Sequence, residues 1–147
     1  MIDKARRSAP PMKVLLVEDD HLLAAQLRQV IRAMDGAELV HAAENDQDAC
    51  DWIAAHPGGW DLALVDVFLA AGHGFKVLRQ CAGRAPRQRV VLMSSYTREP
   101  MCQRALEAGA DAFFDKTDPE RLIDFCIDLL KSHRTVAAED KVDRSER

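Results

Sequence analysis

Apolar residues fall along this chain in five short continuous runs: Met12–Val17, Ala37–Ala42, Asp61–Val67, Arg89–Ser94 and Ala112–Asp115. Runs this short and continuous are those of strands buried on both faces, the habit of a parallel sheet, and the second and fifth carry the weakest signal. A helical pattern follows each run. Asp20 is placed to cap a helix bearing Leu23, Leu27, Val30, Ile31 and Met34 and closed by Gly36. Asn45 opens a second with Ala49, Trp52 and Ile53, ending near His56-Pro57-Gly58. Gly74 to Cys81 is a short third helix, and Arg98 to Ala108 a fourth that stops at Gly109. Thr117-Asp118-Pro119-Glu120 then offers a capping-box spacing and a Pro in the first turn of the fifth. Five strand-helix units predict an α/β fold, a doubly wound parallel sheet of five strands with helices on both faces.

Two polar ends bracket that alternation. Residues 1–11 finish in a Pro pair, and residues 134–147 hold four acidic and four basic side chains, so both are expected to be tails around one domain spanning 12–133. A chain of 147 residues then has no room for a separate output domain. The segment 12–133 carries thirteen basic against nineteen acidic residues, which argues against a nucleic-acid surface and suits a cation site. The basic stretch Arg84–Arg89 reads as a solvated loop. Cys50, Cys81, Cys102 and Cys126 lack any metal-binding spacing and read as small buried hydrophobes of a reducing compartment. No apolar run approaches membrane-spanning length and the basic start is not followed by a signal-peptide core, so a cytoplasmic location is expected.

In such a sheet the site lies beyond the carboxyl ends of the strands. The first strand ends at Glu18-Asp19-Asp20, the third at Asp66, the fourth at Ser94-Ser95, and the fifth near Lys116. Gathered carboxylates repel unless a proton, an ammonium group or a hard cation relieves them, and two or three carboxylates favour Mg²⁺ over Ca²⁺. A solvated helix start accounts for Asp20 but not for Asp66, a lone acid inside an apolar run. A strand-end acid capping the following turn remains open for Asp66, as does simple backbone satisfaction for Ser94.

The ordered motifs VLLVEDD, DLALVDVFLAAGHG, VVLMSSY and EAGADAFFDK, with the terminal helix, resemble the receiver domain of two-component response regulators across about residues 12–133. That resemblance implies the flavodoxin-like strand order 2-1-3-4-5. It implies Asp66 as phosphoacceptor, with Mg²⁺ held by Glu18, Asp19, Asp66 and the main-chain carbonyl of Phe68. It further implies Ser94 and Lys116 as phosphate-binding groups, and Ser94 and Phe113 as the switch pair. The partners it implies are a sensor histidine kinase or histidine phosphotransfer protein, and a downstream protein or second copy docking on the helix 4, strand 5, helix 5 face. The chain would not be an enzyme in its own right, although it would help catalyse its own phosphotransfer and slow dephosphorylation.

Two departures qualify the match. Ala70 stands where the family usually has Pro, and Thr117 follows Lys116 where many members have Pro, so a trans bond is expected there by about 2.5–4 kcal/mol. These favour, as the alternative, a degenerate receiver that binds partners constitutively. A flavodoxin-like cofactor binder is disfavoured by three acids in the first loop, and an aspartyl phosphohydrolase by Phe68 where a second carboxylate belongs. Phe68 and Tyr96, each two residues past a reactive position, are placed to screen the phosphoryl group from water. In the last helix seven apolar residues span about 200°, wider than a surface helix needs, leaving part of that face for a partner or for the tail.

Overall fold

The computed structural model describes residues 10–96 and 99–145. Five strands, β1 (Met12–Val17), β2 (Ala37–Ala43), β3 (Leu62–Asp66), β4 (Arg89–Ser94) and β5 (Ala112–Asp115), alternate with five helices. These are α1 (His21–Ala33), α2 (Asp46–Ala55), α3 (Gly74–Gln80), α4 (Glu99–Glu107) and α5 (Pro119–Ser145). All strand pairs are parallel and the order is β2-β1-β3-β4-β5, as expected. The two weakest runs are the edge strands, whose residues are mostly half-buried, whereas β3 is buried throughout. An edge strand meets fewer neighbours, so its sequence needs fewer apolar residues.

Side-chain alternation sorts the three central strands onto two cores. Leu15, Val17, Ala63, Val65, Val90 and Leu92 face one side, where α2, α3 and α4 contribute Ile53, Val77, Leu78 and Ala105. Val14, Leu16, Leu62, Leu64, Val91 and Met93 face the other, covered by Leu27 and Ile31 of α1 and Leu122, Cys126 and Leu130 of α5. Each fully buried Leu or Val is worth about 1.5–3 kcal/mol, enough for two such layers to hold a charged cluster at the sheet's end.

The helix punctuation is largely as the sequence predicts. Asp20 accepts from the Leu22 and Leu23 amides, Asn45 from the Asp48 amide, and Gly36 and Gly109 take φ of 95° and 108°. Thr117 does not build the expected capping box. Its amide and hydroxyl both donate to Asp115 Oδ1, at 2.8 and 2.7 Å, while Pro119 opens α5. The expected start of α4 at Arg98 falls outside the described residues, as does the N-terminal arm up to residue 9.

Two expectations are corrected. Helix α5 runs to Ser145 instead of giving way to a tail at 134, because no Gly or Pro interrupts it and its last visible contacts are held: His133 Nε2 lies 3.1 Å from the Pro10 carbonyl and Arg134 3.8 Å from Asp35. The basic stretch is exposed at 85–87 and at Arg89, as a solvated loop would be, but the Arg84 side chain is not solvated. Arg84 donates to the carbonyls of Cys81, Gln88 and Gly109 and to Asp111, while Arg87 binds Asp61 and the carbonyl of Gly58. Asp61 and Asp111 in turn accept the amides of Lys13 and Val90, so the two arginines clasp the amino ends of the strands.

Candidate functional site

At the opposite end of the sheet, buried strands deliver charged residues to one place. β1 ends with Glu18, whose amide is fixed to the Ala43 carbonyl of β2, and β3 ends with Asp66 in register with Met93 of β4. Both carboxylates are about 2% exposed. Lys116, leaving β5, has its amide on the Ser94 carbonyl and its ammonium group 2.8 Å from Asp66 Oδ2 and 2.6 Å from Glu18 Oε1. The contact to Glu18 is close enough to be ionic but lacks hydrogen-bond direction, so both Glu18 oxygens are without a hydrogen-bond partner among the described residues. Burying a carboxylate that way is costly unless something else binds it.

Charge regulation follows from this crowding. Burial, reinforced by the neighbouring Asp66, pushes the Glu18 carboxyl up to about 8 against the pull of Lys116. Burial draws the Lys116 ammonium down, but its bonds to Asp66 and Glu18 outweigh that and leave it above its ordinary value. The folded metal-free protein therefore holds a proton on Glu18 that the unfolded chain has lost above about 4.5. Stability is then expected to be complete below that pH and to fall as pH rises through about 8, with the fall removed by Glu18→Gln. Denaturant titrations across this range without divalent cation check it; parallel profiles for the two proteins would contradict it.

Asp19 is half-buried beside the pair, and its Oδ2 accepts the Ala70 amide at 2.5 Å. Glu18, Asp19 and Asp66 each offer one oxygen within 4.8 Å of the others. Three hard oxygen donors, two of them on buried residues, fit a divalent cation of the Mg²⁺ class. Asp20 has turned away to cap α1.

The remaining expected residues are near but differently engaged. Phe68 donates its amide to Asp66 Oδ1 at 3.3 Å, and its exposed ring packs edge-on against Tyr96, 6.0 Å between centres. Ser94 is fully buried with its hydroxyl accepting the Tyr96 amide at 2.9 Å, so the hydroxyl serves local backbone and bonds neither the Asp66 nor the Lys116 side chain among the described residues. Phe113 is half-buried against the α2, α3, α4 core. The Lys116–Thr117 bond is trans, as expected, and the turn that Pro would shape is shaped by the Thr117 bonds to Asp115, which hold that carboxyl below its ordinary value.

Two glycines escaped the sequence reading. A Cβ at Gly74 would overlap the Asp66 carbonyl, so α3 approaches the site this closely only through Gly. Gly72 has φ 93° and presses against Asp46, whose carboxylate also accepts the His73 amide. The G-H-G spelling was the available signal.

Comparison with known proteins places this arrangement. The response regulator UvrY of Escherichia coli O6:H1 is 23% identical over 129 residues, 87% of this chain and 58% of UvrY. Protein-glutamate methylesterase/protein-glutamine glutaminase 5 of Myxococcus xanthus is 33% identical over 131 residues, 86% of this chain but 37% of that protein. The chain thus spans little more than half the length of one relative and less of the other. The fold matches the response regulator domain of Thermotoga maritima CheB, with a TM-score of 0.70 at 20% identity over 85% of this chain and 97% of that one. A CheY-like receiver domain protein from Methanospirillum hungatei gives 0.67 at 23% identity, over 85% and 98%. The family model of the response regulator receiver domain matches residues 14–126, a span running from β1 into α5 and holding every acid and the lysine of the cluster, and the chain belongs to that family.

Proposed function

We propose that this domain is a phosphorylation-activated switch whose phosphoacceptor is Asp66. The carrying observation is a buried carboxylate held by Lys116 beside a second buried acid that shares the same ammonium group. Receiver domains generally bind Mg²⁺, and here Glu18, Asp19 and Asp66, with the Phe68 carbonyl, would hold it. The cation would supply charge neutralisation at the transferring phosphoryl oxygens. Lys116 holds the Asp66 carboxylate aligned, so that one of its oxygens attacks the phosphorus of a partner's phosphohistidine. The P–N bond breaks, its electrons return to the imidazole, and an acyl phosphate forms on Asp66. The domain consumes no separate substrate, so we do not regard it as an enzyme beyond this self-modification.

The switch follows from the same contacts. A phosphoryl dianion gives the Ser94 hydroxyl a stronger partner than the Tyr96 amide, and Ser94 turns to it. The space it leaves admits Phe113, which reshapes α4, β5 and α5. Leu106 and Ile127, 48% and 37% exposed, give that face apolar anchors for a downstream protein or second copy. Signalling receivers interact with kinases and effectors; the kinase phosphohistidine and this face are our assignments, as is a cytoplasmic setting. Among the described residues no helix is long and apolar enough to cross a membrane.

Incubation with Mg²⁺ and acetyl phosphate should add one acid-stable, base-labile phosphoryl group, mapped to Asp66 by mass spectrometry. Beryllofluoride with Mg²⁺ should shift amide resonances of Ser94 and Phe113. Silence in both would leave the constitutive binding module as the better reading. The exposed Phe68 and Tyr96 rings pack edge-on against each other, two residues past Asp66 and Ser94. On this reading they screen the phosphoryl group, so the double variant Phe68→Ala, Tyr96→Ala is expected to shorten the phospho-form half-life several-fold, read by loss of label. A half-life equal to or longer than wild type would refute the shielding.

A further inference from the structure

An acid in the first turn of a helix ordinarily faces water, where it meets the helix dipole. Asp46, the first residue of α2, does not: it is 8% exposed and directed at another element. Its Oδ2 accepts the His73 amide at 3.1 Å, and Gly72 lies so close that a Cβ there would overlap the carboxylate. Nothing larger than Gly would let the loop backbone rest on this acid.

The gripped segment is the loop that follows Asp66. His73 pairs with Phe68 in an antiparallel bridge and the Gly74 amide donates to the Val67 carbonyl at 2.8 Å, so what fixes His73 fixes Phe68. His73 also caps α3 through the Lys76 amide, and Lys76 Nζ reaches back 2.9 Å to Gln47 Oε1 of α2. Two other carboxylates meet the loop, Asp66 at the Phe68 amide and Asp19 at the Ala70 amide, and both belong to the oxygen cluster. Asp19 has two claims on it, because it belongs to the oxygen cluster suited to a cation. Asp46 has no such second duty.

We propose that Asp46 is a positioning residue: from α2 it clamps the loop between Phe68 and His73, and so keeps the Phe68 backbone in place for a divalent cation when Asp19 turns from Ala70 to the metal. The inference rests on the receiver reading of the site given above. It assigns to α2 a part in metal binding although no residue of α2 touches the cluster.

The test compares Asp46→Asn, which keeps volume and an acceptor oxygen, with Asp46→Leu, which keeps volume only. Amide hydrogen exchange in the metal-free protein and Mg²⁺ titration are the readouts. Asp46→Leu should speed exchange at Phe68 and His73 and weaken Mg²⁺ binding by about 10-fold or more, the scale of losing a residue that orients a metal ligand. Labelling from acetyl phosphate should recover at saturating Mg²⁺. Asp46→Asn should stay within about 3-fold of wild type in affinity. If Asp46→Leu fails to fold, Asp46→Ala is read the same way. A variant that loses melting temperature but not Mg²⁺ affinity overturns the proposal, and so does an Asn variant as impaired as Leu. If wild type neither binds Mg²⁺ nor accepts label, the receiver reading and the clamp fall together; if wild type does both and all variants match it, the clamp alone falls.

Discussion

Asp66→Asn is expected to abolish phosphoryl acceptance, lowering label incorporated from acetyl phosphate or a phosphohistidine donor by more than about 10³-fold, the scale of removing a nucleophile. The amide is nearly isosteric but has one acceptor oxygen where Asp66 uses two, Oδ2 for Lys116 and Oδ1 for the Phe68 amide, so one of these bonds is lost locally while far-UV circular dichroism should not change. Stability should hold or rise, because a buried carboxylate beside Glu18 has been removed. Undiminished labelling in this variant would move the phosphoacceptor to another acid, Asp19 first, and would leave the buried pair as a structural ion pair.

Lys116→Met should act on both stability and chemistry. It preserves the apolar stem but leaves Glu18 and Asp66 facing each other, with no cation between them. Removing one partner of a buried ion pair costs about 3–5 kcal/mol when the remaining charge cannot escape. Here one acid can take the proton, so the loss should be smaller at pH 5 and approach that range near pH 8. Added Mg²⁺ should restore much of the difference at pH 8, which a purely packing defect would not allow. Labelling at saturating Mg²⁺ should still fall by about 10²–10³-fold, because the phosphoryl oxygens lose a charged partner. Equal stability of variant and wild type at pH 8 without Mg²⁺ would contradict this account.

The sheet was legible because its three central strands are apolar on both faces, a demand that leaves a continuous signature. The edge strands were fainter for a matching reason, since each has a neighbour on one side only. Glu18, Asp66 and Lys116 could be found because a charge at the end of an apolar run is out of place. Asp46 could not: in sequence it is one more acid opening a helix, and its role depends on a loop twenty-six residues on folding back against it. Arg84 misled for the opposite reason. A cluster of arginines reads as surface until the carbonyls they satisfy are known.

That arginine clasp also decides where the molecule can give. Asp61 and Asp111, each tied to an arginine and to a neighbouring strand's amide, pin β1 to β3 and β4 to β5 at their amino ends. The carboxyl ends are joined by main-chain bonds, Glu18 to Ala43 and Lys116 to Ser94, and by the Lys116 ammonium group shared between Glu18 and Asp66. A phosphoryl group arriving at the carboxyl ends would therefore compete for the ammonium group that ties β1 to β3, while the amino ends, remote from the chemistry, stay held by the two arginines.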